Sequence, residues 1–161
     1  MPVASPDLPE MSGTEAAMGI DTMGKVLVAA KIESLEDLFK VQQGLIADGE
    51  VRRLEVDDAL VDTGASSLSM PGRLIQRLGL RPVRTRTART AGGSLTVRIY
   101  GTVRLTIQGR DCVVDVTELH DDCPVLVGQI PLELLDFVVD PVGQRLIGNP
   151  AHGGEHIIDI Y

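Results

Sequence analysis

One stretch of this 161-residue chain runs from an apolar segment straight into an acid, a hydroxyl and a glycine: Ala59-Leu60-Val61-Asp62-Thr63-Gly64-Ala65-Ser66. An apolar strand carries Asp62 to a rigid, poorly solvated position, and a carboxylate in such a setting is suited to proton transfer. Thr63 can bond to neighbouring backbone, and Gly64 permits close approach of the chain. Taken alone, the tripeptide also reads as an ordinary turn after a strand. Competing chemistries have weaker support. Ser66, Ser67 and Ser69 have neither a His partner nor a Gly-x-Ser-x-Gly elbow. His120, His152 and His156 are too scattered for a relay. Cys112 and Cys123 lack CxxC spacing and a His at zinc-ligand spacing, so no metal or other cofactor is expected. Asp121-Asp122 reads as a solvated loop before Pro124.

The elements around Asp62 follow from periodicity and turn signals. Residues 1–24 are rich in Pro, Ser, Gly, Met and acids without apolar periodicity, which predicts a mobile tail ahead of one domain over 25–161. Lys25 to Ile32 suits a strand, and Ser34 to Lys40 a short helix with Ser34 as N-cap and Asp37 as a capping-box partner. Arg53 to Val61 leads into Asp62 as a strand. Arg73 to Leu78 has helical spacing between Pro71-Gly72 and Gly79. Arg81 to Thr90 reads as an exposed strand with a solvated arginine face, Ala91-Gly92-Gly93-Ser94 as a hairpin tip, and Ser94 to Gln108 as the returning strand with a bend at Gly101. Cys112 to Leu119 and Pro124 to Gly128 are further strands, Pro131 to Leu135 a short helix, Phe137 to Asp140 with Arg145 to Ile147 a hairpin, and His156 to Tyr161 a strand with no partner in the chain. The sum is an all-β domain with one or two short helices.

Composition narrows the setting. Hydrophobic residues make up 43% and aromatics 2%, so the core must be Val, Leu and Ile, a β-leaning mixture. A net charge of −8 argues against nucleic acid and anionic membrane as partners. No apolar run approaches the roughly 20 residues that span a bilayer. Met1 to Glu10 lack the basic start and apolar core of a signal peptide, and the two cysteines read as thiols of a cytoplasmic protein.

The chain resembles the retropepsin-like aspartic peptidases, including their bacterial members, over about Lys25 to Tyr161. The likeness rests on three segments in order: the apolar-Asp-Thr-Gly-Ala-Ser run, the glycine-tipped hairpin, and Leu126-Val127-Gly128 followed by a helix. In that family the third segment threads beside the first as a psi loop, and the hairpin is a flap over the substrate. The resemblance implies a single-lobed acid-protease barrel. It implies Asp62, Thr63 and Gly64 as the catalytic turn, with Ala65, Ser66, Ala91, Gly92, Gly93, Ser94, Val127 and Gly128 binding substrate. Three departures stand out. Ser34 to Gln43 is an insertion, Ser66 and Gln129 replace an acid and an arginine that pair in retroviral members, and the nearest aromatic to the flap tip is Tyr100.

Chemistry of that kind needs two carboxylates sharing a proton around one water, because like charges so close do not both ionise. The chain has no second Asp-Thr-Gly or Asp-Ser-Gly. Asp21-Thr22-Met23-Gly24 is interrupted by Met23, and no apolar strand precedes it. The second carboxylate is therefore expected from Asp62 of another copy, across a twofold axis. The expected activity is peptide-bond hydrolysis by a homodimer acting on peptide or protein. The alternatives are a silent peptide- or partner-binding module of the same fold, and an unrelated β-barrel interaction domain.

Overall fold

The computed structural model describes residues 25–160; the tail expected over 1–24 lies outside the described residues, as does Tyr161. β1 (Val26–Ser34) alternates buried and exposed positions at its start and is buried at its end. That change reflects its neighbours. It pairs antiparallel with β2 (Arg53–Val61), and its second half also pairs with β5 (Gly93–Ile107). Its end therefore lies inside the sheet, where both faces must be apolar or paired.

Between β1 and β2 sits α1 (Leu35–Gln42), capped by Ser34, whose Oγ accepts the Asp37 N–H at 3.3 Å. Asp37 does not complete a capping box. Its buried carboxylate instead takes three bonds from Arg52: the backbone N–H at 2.9 Å, Nε at 2.8 Å and Nη2 at 2.9 Å. Glu33, 1% exposed, is held by Arg53 and Arg104 at 2.9 and 2.8 Å. The first set fixes the inserted helix to the approach to β2 and the second joins β1 to β2 and β5, since a buried carboxylate left alone would be costly.

The remaining elements are β3 (Leu68–Pro71), α2 (Gly72–Arg77), β4 (Arg81–Thr90), β6 (Arg110–Leu119), β7 (Leu126–Val127), α3 (Gln129–Leu135), β8 (Phe137–Asp140) and β9 (Arg145–Gly148). Seven strands run in the order β1-β2-β7-β3-β6-β5-β4, and the β1–β5 pairing closes six of them into a ring. Only β4 lies outside the ring, joined to β5 alone. β8 and β9 form the expected hairpin. The ring is filled by aliphatic side chains, among them Ile32, Leu68, Met70, Leu105, Ile107 and Leu132, all under 2% exposed. This is the all-β architecture expected, with three short α-helices among the described residues where one or two were expected.

The 156–160 segment does not form the expected strand. A strand needs ladder partners, and within one chain this segment finds others: Ile157 N–H donates to Asp136 Oδ2 at 3.1 Å, and the His156 ring meets the Leu134 carbonyl at 3.1 Å.

Candidate active site

Asp62 sits one residue past the end of β2, where three segments cross. β7 enters between β2 and β3, parallel to the first and antiparallel to the second. Leu60 N–H donates to the Val125 carbonyl at 2.8 Å and Asp62 N–H to the Val127 carbonyl at 2.9 Å, locking the strand up to the carboxylate. Beyond it the turn closes on itself, with Ala65 N–H on the Asp62 carbonyl at 3.0 Å and Gly64 N–H on Asp62 Oδ1 at 3.0 Å. Asp62 Oδ2 has no partner among the described residues. Thr63 and Gly64 are exposed and Asp62 is half-buried, so the carboxylate stands at the surface of a rigid support.

Gly128 makes the crossing possible. Its N–H donates to the Ser67 carbonyl at 3.0 Å, followed by Gln129 to Ala65 at 2.8 Å and Ile130 to Ser66 at 2.9 Å. A Cβ there would meet the Ser67 and Ala65 oxygens at 2.6 and 2.7 Å, all backbone. Only glycine permits that approach. Val127 is fully buried, and with Gly128 it braces the turn from beneath; neither is among the residues that line the cleft beside the turn.

A cleft of about 800 Å³ opens beside the turn, within the range of small-molecule and peptide sites. Its floor is Gly64 to Ser67 and its roof the β4–β5 hairpin. Beyond Ile99 the hairpin pairs only with itself, from Thr85↔Arg98 to Thr90↔Gly93, and so projects over the turn as a two-stranded arm. Ala65 and Ser66 line the cleft, whereas Ala91, Gly92, Gly93 and Ser94 are exposed at the arm's tip, beyond its walls. Tyr100 is not a flap aromatic: it stands at the arm's root, packs on the core, and its hydroxyl donates to Glu118 Oε1 at 3.2 Å. Gln129 pairs with Glu133 of its own helix at 3.1 Å.

Other cleft residues had no signal in the sequence. Ser67 Oγ lies 2.9 Å from Thr117 Oγ1 and 3.2 Å from Ser69 Oγ, a chain of hydroxyls along one wall. Arg84 and Arg86 of β4 line the roof, and Asp115 faces them from β6. The expected solvated arginine face is thus partly a cleft wall. Asp121 accepts the Arg73 N–H at 3.2 Å, and the His152 ring lies between Asp136 and Asp159 near residue 160. Among the described residues no three His, Cys, Asp or Glu side chains cluster to hold a metal, and no helix is long and apolar enough to cross a membrane. Cys112 and Cys123 are free thiols.

A closed single ring, a psi-like crossing and an Asp-Thr-Gly turn beneath a hairpin define a single-lobed acid-protease fold. The family model described as aspartyl protease matches residues 46–130, and the chain belongs to that family in its retropepsin-like form. Among solved structures it is similar to the protease of simian foamy virus (mac), determined in solution, at 19% identity and a TM-score of 0.43, covering 68% of this chain and 93% of that one. No curated protein matches.

Proposed function

We propose that the protein is an aspartic endopeptidase that works as a homodimer, with one Asp62 from each subunit. The observation that carries this is the presentation of Asp62: one carboxylate oxygen is held by the Gly64 N–H, the other has no partner among the described residues, and the turn is locked by the β7 crossing beneath a roofed cleft. One such carboxylate can polarise water but cannot also donate a proton to the scissile carbonyl. With two, the ionised Asp62 takes a proton from the bridging water while its protonated counterpart donates to the carbonyl oxygen. The water oxygen then bonds to carbon, and the amine leaves with a proton returned by the dyad. Thr63, exposed on the turn, would bond across the twofold axis, and an extended peptide would pair with the hairpin as an added strand. The setting that fits two free thiols is the reducing cytoplasm.

Incubating the full chain with a mixed peptide library from acidic to neutral pH, beside Asp62→Asn and with a transition-state mimic of the pepstatin type, tests the reading. Cleavage by the native chain, lost in Asp62→Asn and blocked by the mimic, is expected. Undiminished cleavage by Asp62→Asn overturns it. A second reading, a silent peptide-binding module, is favoured by one observation: Ser66 and Gln129 make no ion pair to brace a dimer, and Gln129 is engaged within α3. Library peptides bound but never cut would support it.

A further inference from the structure

The roof of the cleft carries charge that the dyad does not use. β4 and β5 pair so that Arg84 lies opposite Ile99 and Arg86 opposite Val97. Directly opposed residues share a face, so the underside of the arm presents two arginines beside two aliphatic residues, and all four line the cleft. Arg84 is engaged by Asp115, Nη1 to Oδ2 at 3.6 Å, and Asp115 also accepts the Thr102 hydroxyl at 3.0 Å. Arg86 has no carboxylate partner among the described residues. In a chain with a net charge of −8, an unpaired guanidinium inside the cleft is a local reversal of sign, where low-dielectric walls focus its field. The rest of the lining mixes aliphatic Leu119, Leu126 and Ile130 with the hydroxyls of Ser67, Ser69 and Thr117, and Arg89 adds a further guanidinium toward the arm's tip.

From this juxtaposition we infer that the cleft selects peptides that place a carboxylate side chain near an aliphatic scissile region, with Arg86 as the specificity-determining residue that reads the acid. The inference rests on the peptidase reading for the words "scissile region" alone; the charge preference belongs to binding. An extended peptide lying between turn and arm turns alternate side chains toward the roof, so one residue in two can meet Arg86. Guanidinium and carboxylate match in a two-pronged pair, which lysine and amide cannot reproduce.

The test uses the full-length Asp62→Asn protein, so that binding is read without turnover. Labelled short aliphatic peptides carrying Glu, Gln or Lys at one varied position are titrated by fluorescence anisotropy. The Glu peptides should bind roughly 5- to 10-fold more tightly than the Gln peptides at the best position, with Lys weakest. Adding Arg86→Glu should reverse that order, whereas Arg77→Glu, an equal charge change on the exposed side of α2, should preserve it. Equal affinity for the three sets, an unchanged order in Arg86→Glu, or no binding of any set overturns the inference. The native chain is assayed for cleavage of the same peptides. An Arg86-dependent acid preference in binding without cleavage sustains this inference and sinks the peptidase reading. Cleavage indifferent to charge does the reverse.

Discussion

Replacing Gly128 by alanine places a methyl group 2.6–2.7 Å from two carbonyl oxygens and one carbonyl carbon of the Ala65–Ser67 backbone. Ordinary contact begins at 3.4 Å, so the two loops must part by about 0.8 Å, and no flexible side chain is available to yield. Three backbone bonds span that gap: Gly128 to Ser67, Gln129 to Ala65 and Ile130 to Ser66, at 3.0, 2.8 and 2.9 Å. Lengthening two of them past useful range costs about 0.5–1.5 kcal/mol each, and overpacking adds about 1–3 kcal/mol. A loss of about 2–6 kcal/mol is within the stability of many domains, and it lowers the melting temperature by roughly 10 °C or more. Asp62 shifts with the turn, and a displacement of about 1 Å at a catalytic group costs on the order of 100-fold in rate. Thermal unfolding followed by circular dichroism, with a peptide-cleavage assay well below the melting temperature, reads both effects. A Gly128→Ala protein with unaltered melting temperature would refute the claim that close approach at Gly128 holds the turn.

Asp37→Ala removes three bonds from Arg52 and leaves a backbone N–H without its acceptor; because the guanidinium is half-exposed and can be resolvated, urea unfolding should show a loss of about 2–3 kcal/mol. Arg52 holds the Asp37 carboxyl at about 2, so this contribution is present above the ordinary value of about 3.9 and disappears as pH falls through 2; an acid limb unchanged in Asp37→Asn would contradict the assignment. At the chain's end the His152 ring, 2.6 Å from Asp136, lowers that carboxyl to about 2, and Asp136 with Asp159 raises His152. The Asp136 contribution is lost toward pH 2 and the His152 contribution as pH rises through its raised value, so the pair holds best between about pH 4 and about 6.5. Hydrogen exchange of the Ile157 amide, which donates to Asp136, should show protection falling above that window, and Asp136→Asn should flatten the profile.

Much of the fold could be read from local pattern. Ala59-Leu60-Val61 promises a buried lead-in, and Ala59 and Val61 are core residues. Ser34 caps its helix, and the glycines place the hairpin tip, because caps and turns are decided by neighbouring backbone. Long-range partners decide the rest. β3 is four residues long and is a strand only through parallel pairing with β6, nearly fifty positions away. Glu33 looks like a surface acid until Arg53 and Arg104 close over it from two other strands. Arg84 and Arg86 belong to the cleft because the arm folds back over the Asp62 turn, a fact of topology that β4's own sequence does not carry. The 156–160 segment has a strand's composition, but the Ile157 amide and the His156 ring bond to Asp136 and Leu134 instead of to a ladder.

The central claim is that two Asp62 carboxylates from two copies make one site. Mixing native chain with Asp62→Asn under conditions that exchange subunits, and measuring peptide cleavage against the native fraction, addresses it most directly. If both carboxylates are required, activity follows the square of that fraction and falls to about one quarter in an equal mixture. A linear fall to about one half would mean that each chain works alone, and would contradict the account.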